Sequence, residues 1–179
     1  MNELELGDAK LELKQGDIAN QSDMQAVVNA ANAQLRIGGG VAGAIHRGAG
    51  PGLTEETRPL APIAPGEAVI TGAHNLPNDY VIHCLGPVYG RDKPEDELLA
   101  NCYRNALQVA EEHGVERIAF PAISTGAFGY PMEPAARIAL STVASEAEHL
   151  SAVKLIRFVL FGDSAMQVHK EVMEEMFGK

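Results

Sequence analysis

Cysteine is scarce in this chain of 179 residues: only Cys84 and Cys102 occur. Two thiols at that spacing make neither a disulfide framework nor a metal-ligand motif, which fits ordinary thiols in a reducing compartment and gives a cytoplasmic expectation. Basic residues are also few, 14 Lys and Arg against 24 Asp and Glu for a net charge of -10. They are not clustered, which disfavours a non-specific grip on nucleic acid. No apolar run approaches the ~18 residues a membrane helix needs. No basic segment precedes an apolar stretch at the N-terminus, as a secretory signal requires. The six histidines lack zinc-ligand spacing, so no metal is expected. Composition shifts, internal repeats and low-complexity tails are absent as well. With 46% hydrophobic residues, a single compact domain over residues 1–179 is the expectation.

The most informative stretch that is present runs from 27 to 51, VVNAANAQLRIGGGVAGAIHRGAGP. A short apolar run precedes two asparagines, Asn29 and Asn32. Three consecutive glycines then lead into a small-residue segment that can be helical. Glycine is costly to order, so three before a helix point to close approach of backbone to a ligand, with free N–H groups offered to an anion. A second loop of this kind, Ser124-Thr125-Gly126-Ala127-Phe128-Gly129-Tyr130, suggests a nucleotide diphosphate held between the two.

Alternation of apolar and charged residues predicts strands over 4–6 and 11–13, joined by a turn at Gly7-Asp8. A one-turn helix is expected after Gly16-Asp17. Further strands are expected over 26–29, 67–71, 80–84, 117–121 and 153–161. Helices are expected over 41–49, 53–58, 94–113, 133–149 and 165–177, the third with Pro94 in its first turn and Gly114 as its stop. The regular alternation of strand and helix in the second half indicates a partly parallel sheet covered on both sides. Ligands in such folds sit beyond the carboxyl ends of strands. The two loops meet there if the strands before them are neighbours.

Each candidate residue has a plain structural reading beside the functional one. Asp17 can accept from an adenine amine, with the Ile18 N–H donating to a ring nitrogen; it can equally cap a turn. Asn32 and Asn29 can grip ribose hydroxyls or brace exposed backbone. The glycine loop matches neither the phosphate-loop pattern nor the dinucleotide fingerprint. His46 can face a ligand or titrate as an acid or base, or support the loop from behind. In the second loop the N–H groups and two hydroxyls can surround phosphate oxygens while Phe128 walls a sugar. Ser124 lacks a nucleophile-elbow setting. Phe161 can stack on a base or join the core.

Taken together, Gly16-Asp17-Ile18, Val28-Asn29-Ala30-Ala31-Asn32, the run GGGVAGAIH at 38–46, Gly66-Glu67-Ala68 and the run STGAFGYP at 124–131 resemble the macrodomain family, the ADP-ribose-binding module. They stand in the family order and span nearly the whole chain. The resemblance implies an α/β/α fold of three layers with a mixed, partly parallel central sheet. It further implies that Asp17 and Ile18 hold adenine and that Asn32 touches the distal ribose. Gly39, Gly40, Val41, Ser124, Thr125, Gly126, Ala127 and Phe128 would cradle the diphosphate and flank that ribose, with Phe161 stacking on adenine. The run IHRGAGP at 45–51 is most similar to the subgroup that hydrolyses carboxylate-linked mono-ADP-ribose and O-acetyl-ADP-ribose, where Asn32, His46 and Gly40 become the catalytic candidates. That subgroup usually carries an aspartate where this chain has Ala42, so a water-positioning carboxylate is missing. The resemblance therefore implies two alternatives: a hydrolase of reduced or altered activity that uses substrate-assisted water, or a non-catalytic reader of ADP-ribose. The implied partners are ADP-ribose and ADP-ribosylated protein or O-acetyl-ADP-ribose, bound by a monomer, with no cofactor beyond the ligand.

Overall fold

The computed structural model describes residues 1–178. Seven strands form one mixed sheet: β1 (Glu3–Leu6), β2 (Ala9–Gln15), β3 (Ala26–Ala30), β4 (Ala68–Gly72), β5 (Tyr80–Cys84), β6 (Arg117–Phe120) and β7 (Leu155–Leu160). Their spatial order is β1-β2-β7-β6-β3-β5-β4. From β2 to β5 every pairing is parallel, and only the edge strands β1 and β4 run antiparallel to their neighbours. The first hairpin closes on Leu6 paired with Ala9, with Gly7 supplying the positive φ of 63° that so tight a turn demands.

Side-chain alternation along the strands assigns each helix to a face. Val27, Val81, Ala119 and Val159 pack with Ile45, Ala49 and Leu53, on α1 (Gly40–Ala49) and α2 (Pro51–Thr57). Their sequence neighbours Val28, Ile82, Ile118, Phe120 and Phe158 point the other way. There they meet Leu99, Leu107, Leu140 and Met173, on α3 (Glu95–Glu112), α4 (Met132–Ala147) and α5 (Asp163–Phe177). The result is three layers, helix–sheet–helix. No helix among the described residues is long and apolar enough to cross a membrane.

Local chemistry explains where the observed elements differ from expectation. Instead of a one-turn helix after Gly16, Asp17 Oδ1 accepts the Ala19 N–H at 2.9 Å and Asp17 O accepts the Asn20 N–H at 3.0 Å, an aspartate-closed turn. The helix expected over 53–58 starts at Pro51. Gly50, at φ 84°, redirects the chain, and Pro51 needs no N–H partner in a first turn. It ends at Thr57, followed by a 3-10 turn over Arg58–Leu60. In α3 the buried stripe is centred on Leu99, Cys102, Tyr103, Ala106 and Ala110, leaving Leu98 and Val109 half-buried.

Candidate ligand-binding cleft

Strand β3 is hydrogen-bonded to β6 on one side and to β5 on the other. The chain segments leaving these three strands therefore converge beyond their carboxyl ends. Together with the start of α1 they enclose a cleft of about 300 Å³, lined by residues 30–32, 38–42, 86, 122–124 and 126–128. The lining contains no Asp, Glu, His, Lys, Arg, Cys or Tyr.

Polarity in the cleft comes from backbone. Helix α1 begins at Gly40 with no side-chain cap and no acidic residue in its first turn. Gly43 is the first residue to bond back, its N–H reaching Gly39 O at 3.2 Å. The N–H groups of Gly40, Val41 and Ala42 are left to face an acceptor, and the helix dipole favours an anion there. Opposite stands the loop after β6. Two of its carbonyls are used internally: Tyr130 N–H bonds Ser124 O at 2.9 Å and Gly129 N–H bonds Gly126 O at 3.0 Å. The N–H groups of Gly126, Ala127 and Phe128 have no partner among the described residues. Ser124 holds a left-handed backbone, φ 68°, and its buried hydroxyl has no hydrogen-bond partner at the cleft wall. A polar atom buried and unpaired costs free energy until something binds it.

Side chains shape the walls. Asn32 Nδ2 donates to Arg36 O at 2.8 Å, and Arg36 N–H donates to Asn32 Oδ1 at 3.0 Å, so the amide closes the turn that leads into the glycines. Thr125 lies outside the lining, its hydroxyl spent on Ala122 O at 2.8 Å. Phe128 is half-buried and packs against the small cluster of Ala31, Leu35, Ile63 and Leu85.

Asp17, Ile18 and Phe161 sit farther along the same sheet edge, past the ends of β2 and β7, which are joined there by Gly16 N–H to Leu160 O at 2.9 Å. Phe161 is 87% exposed, an unusual position for an aromatic ring. Ile18 is buried, and Asp17 is exposed. These three do not line the cleft, but the edge runs continuously from them to it.

His46 also lies outside the lining. It is buried on the sheet-facing side of α1, with Nδ1 3.2 Å from Thr54 Oγ1 and Nε2 unpartnered. Burial pushes its pKa below the usual histidine value. Asn29 is a strand residue beneath α1. Its Nδ2 stands 3.0 Å from His83 Nδ1, and His83 Nε2 stands 3.0 Å from Thr71 Oγ1, a polar chain laid across β3, β5 and β4. Burial, reinforced by nearby His46, lowers the His83 pKa to about 3, so the ring is neutral.

The structure thus brings together Asn32, Gly39, Gly40, Val41, Ser124, Gly126, Ala127 and Phe128 in one cleft. It adds Gly86, which sequence reasoning passed over. The only signal was a glycine two residues past a strand, in Leu85-Gly86-Pro87. A Cβ there would overlap Ser124 Oγ, so no other residue lets the two segments approach.

The fold and site define an α/β/α domain with an uncharged cleft that offers backbone donors to an anion. Comparison with known proteins gives this class its family. The Macro domain family matches residues 28–139. A macro domain-containing protein of Caldanaerobacter subterraneus subsp. tengcongensis is 47% identical over 172 residues, covering 93% of this chain and 97% of that protein. A variant of the Oceanobacillus iheyensis macrodomain with ADPR superposes with a TM-score of 0.94 at 36% identity, covering 99% of this chain and 98% of the other. The ADP-ribose glycohydrolase MACROD2 of Xenopus laevis is 42% identical over 173 residues, 95% of this chain and 41% of that protein. The chain belongs to the macro domain family.

Proposed function

We propose that the cleft binds ADP-ribose and that the protein hydrolyses ester-linked ADP-ribose, on protein carboxylates or as O-acetyl-ADP-ribose. The observation that carries this reading is the pairing of unengaged N–H groups on α1 with those at Gly126–Phe128, across a lining that holds no charged side chain. A diphosphate fits between them, because its charge is met by backbone dipoles on both sides. Gly39, Gly40 and Val41 serve one face, and Ser124, Gly126 and Ala127 the other. Asn32 stands beside the distal ribose, Phe128 walls it, and Thr125 holds the loop in shape. Asp17, Ile18 and Phe161 receive the adenine at the far end of the same edge.

Catalysis in such a cleft has no side-chain acid or base to draw on. Losing a positioned proton carrier costs on the order of 10²–10⁴ in rate. Where the carboxylate is esterified at the anomeric position, water adds to the anomeric carbon, the glycosyl C–O bond breaks, and its electron pair leaves with the carboxylate. That leaving group needs no proton at neutral pH, its conjugate acid having a pKa near ~4. The surplus proton of water passes to a diphosphate oxygen of the substrate. Ester linkages therefore turn over, and linkages to a guanidine nitrogen, a far poorer leaving group, do not. His46 supports α1 from behind in this scheme. Homology to an ADP-ribose glycohydrolase supports the hydrolytic reading.

A second reading, a reader module without turnover, is favoured by Ala42, which offers water no carboxylate at the helix start. One experiment separates the two. The purified protein is incubated with a glutamate-linked mono-ADP-ribosylated protein while released ADP-ribose is quantified, with a calorimetric titration of ADP-ribose in parallel. Release supports hydrolysis; binding without release leaves the reader; neither removes both.

A further inference from the structure

The turn at Asp17-Ile18 leaves one N–H unused. Ile18 N–H has no partner among the described residues, while the Ile18 side chain is buried with Met24 and Val27. The Asp17 carbonyl belongs to the same peptide unit, which is planar and trans, so its C=O and that N–H point in opposite directions. Whatever holds Asp17 O therefore aims Ile18 N–H. Two donors hold it: Asn20 N–H at 3.0 Å and Gln21 Nε2 at 2.9 Å. The first is local to the turn. The second comes from a side chain that is itself only 4% exposed.

Gln21 is held in turn from the sheet. Its Oε1 accepts from Arg157 Nη1 at 2.9 Å. A guanidinium only donates and a peptide carbonyl only accepts, so the amide has one consistent orientation, Oε1 to Arg157 and Nε2 to Asp17 O. Arg157 is fixed as well. Its Nε donates to Glu12 Oε1 at 2.6 Å, and its Nη1 and Nη2 donate to the two Asp23 carboxylate oxygens at 2.8 and 2.7 Å. Asn78 Nδ2 clamps the backbone O of Gln21 at 2.8 Å. Buried and charge-assisted, these bonds make a stiff support. Arg157 lies on β7, the strand that leads into Phe161 and whose Leu160 O takes Gly16 N–H at 2.9 Å. One strand thus sets the exposed Phe161 ring in register with the Asp17 turn.

We infer that Gln21 is the positioning residue for base recognition: held by Arg157, it turns the Asp17-Ile18 peptide so that Ile18 N–H meets a ring nitrogen of adenine while Asp17 receives the exocyclic amine. The inference rests on the proposed binding of ADP-ribose with its base at this turn. Asp17 Oδ1 takes Ala19 N–H at 2.9 Å, which leaves Oδ2 for the amine. Base selectivity follows. Hypoxanthine carries N–H and C=O where adenine carries a bare ring nitrogen and an amine, so a fixed N–H and carboxylate meet like against like. A site whose hydrogen-bonding groups are held in place rejects the mismatched base, and one free to turn does not. Neither Gln21 nor Arg157 lines the cleft, so the diphosphate cradle does not depend on them directly.

Three ligands test it by calorimetry: ADP-ribose, its hypoxanthine counterpart IDP-ribose, and ribose 5-diphosphate, which lacks the adenosine. Gln21→Met keeps the side-chain length and loses both bonds. Gln21→Glu keeps an acceptor for Arg157 and sets a carboxylate oxygen against Asp17 O, and it carries the test if Gln21→Met does not fold. Each is expected to weaken ADP-ribose binding about tenfold, to leave ribose 5-diphosphate unchanged, and to bring the preference for ADP-ribose over IDP-ribose close to one. The Ile18 amide resonance shifts on ADP-ribose binding in the wild type and not in these variants. Arg157→Lys keeps the charge beside Glu12 and Asp23 without the fork. It lowers the same preference and adds nothing further in Gln21→Met. A change that merely loosens the fold weakens all three ligands in parallel, and that result overturns the inference, as does an unchanged base preference. If the wild type binds ADP-ribose and IDP-ribose equally, the inference falls and the functional reading stands. If the wild type binds no ADP-ribose, both fall.

Discussion

Gly86 and Ser124 meet at the limit of contact. A methyl group on Gly86 would overlap Ser124 Oγ and lie 2.6 Å from Ile123 Cγ2. Replacing Gly86 by Ala is expected to displace the loop after β6, costing about 1–3 kcal/mol in stability and at least about tenfold in ADP-ribose affinity. Adding Ser124→Ala removes the overlapping oxygen and is expected to restore part of the stability, a coupling read by a double-mutant cycle in thermal unfolding. Additive effects of the two changes would show that the segments do not press on each other.

Asn32 holds both ends of the 32–36 turn. Asn32→Ala deletes two hydrogen bonds with a net worth of about 0.5–1.5 kcal/mol each. Faster amide exchange at Arg36 and about tenfold weaker ADP-ribose binding are expected. An unchanged exchange rate would mean that the glycines alone hold the loop.

Ala42 sits in the first turn of α1, where a carboxylate is favoured by the helix dipole. Ala42→Asp is expected to raise hydrolysis of glutamate-linked ADP-ribose by about 10–10²-fold, within the range of a positioned proton carrier. A pH–rate profile with a new acidic limb should accompany the gain. If rate and profile both stay as they were, water is held elsewhere.

His83 makes stability depend on pH. Its folded pKa is about 3, against about 6.5 in an unfolded chain. Between these values the unfolded state holds more protons, so stability is complete above pH ~6.5 and declines as pH falls toward ~3. The slope from this one group reaches at most about 1.4 kcal/mol per pH unit. Asp23, lowered to about 2 chiefly by its hydrogen bond to Arg157, adds its own loss only below about pH 4. Urea titrations from pH 7 to 4 should show the first decline, and His83→Gln should flatten it. A wild-type curve level down to pH 4 would contradict the buried, neutral assignment.

Strand periodicity made the fold readable, because alternating positions such as Val27 and Val28 feed two different cores. The cleft was readable through its glycines and small residues, whose cost implies a use. Spatial order was not. Nothing local to 26–30 or 117–120 states that these strands are neighbours, since pairing across so long a separation depends on the whole sheet. Gly86 stayed hidden for the same reason: its partner, Ser124, is distant in sequence. His46 shows the limit of motif reading, as its place in a binding motif does not reveal which side of the helix it occupies. Its contact with Thr54 on α2 settles the face.

The last strand of the chain has a consequence for synthesis. β7 is hydrogen-bonded to β2 on one side and β6 on the other, and those two strands do not touch each other in the sheet order. The hairpin of β1 and β2 is synthesised before the other described strands and waits longest for its place. Until residue 160 has emerged, the nascent chain holds two sheet fragments with open edges, the species most exposed to mispairing. The far end of the ligand edge, where Gly16 meets Leu160, closes only when that strand slides between them.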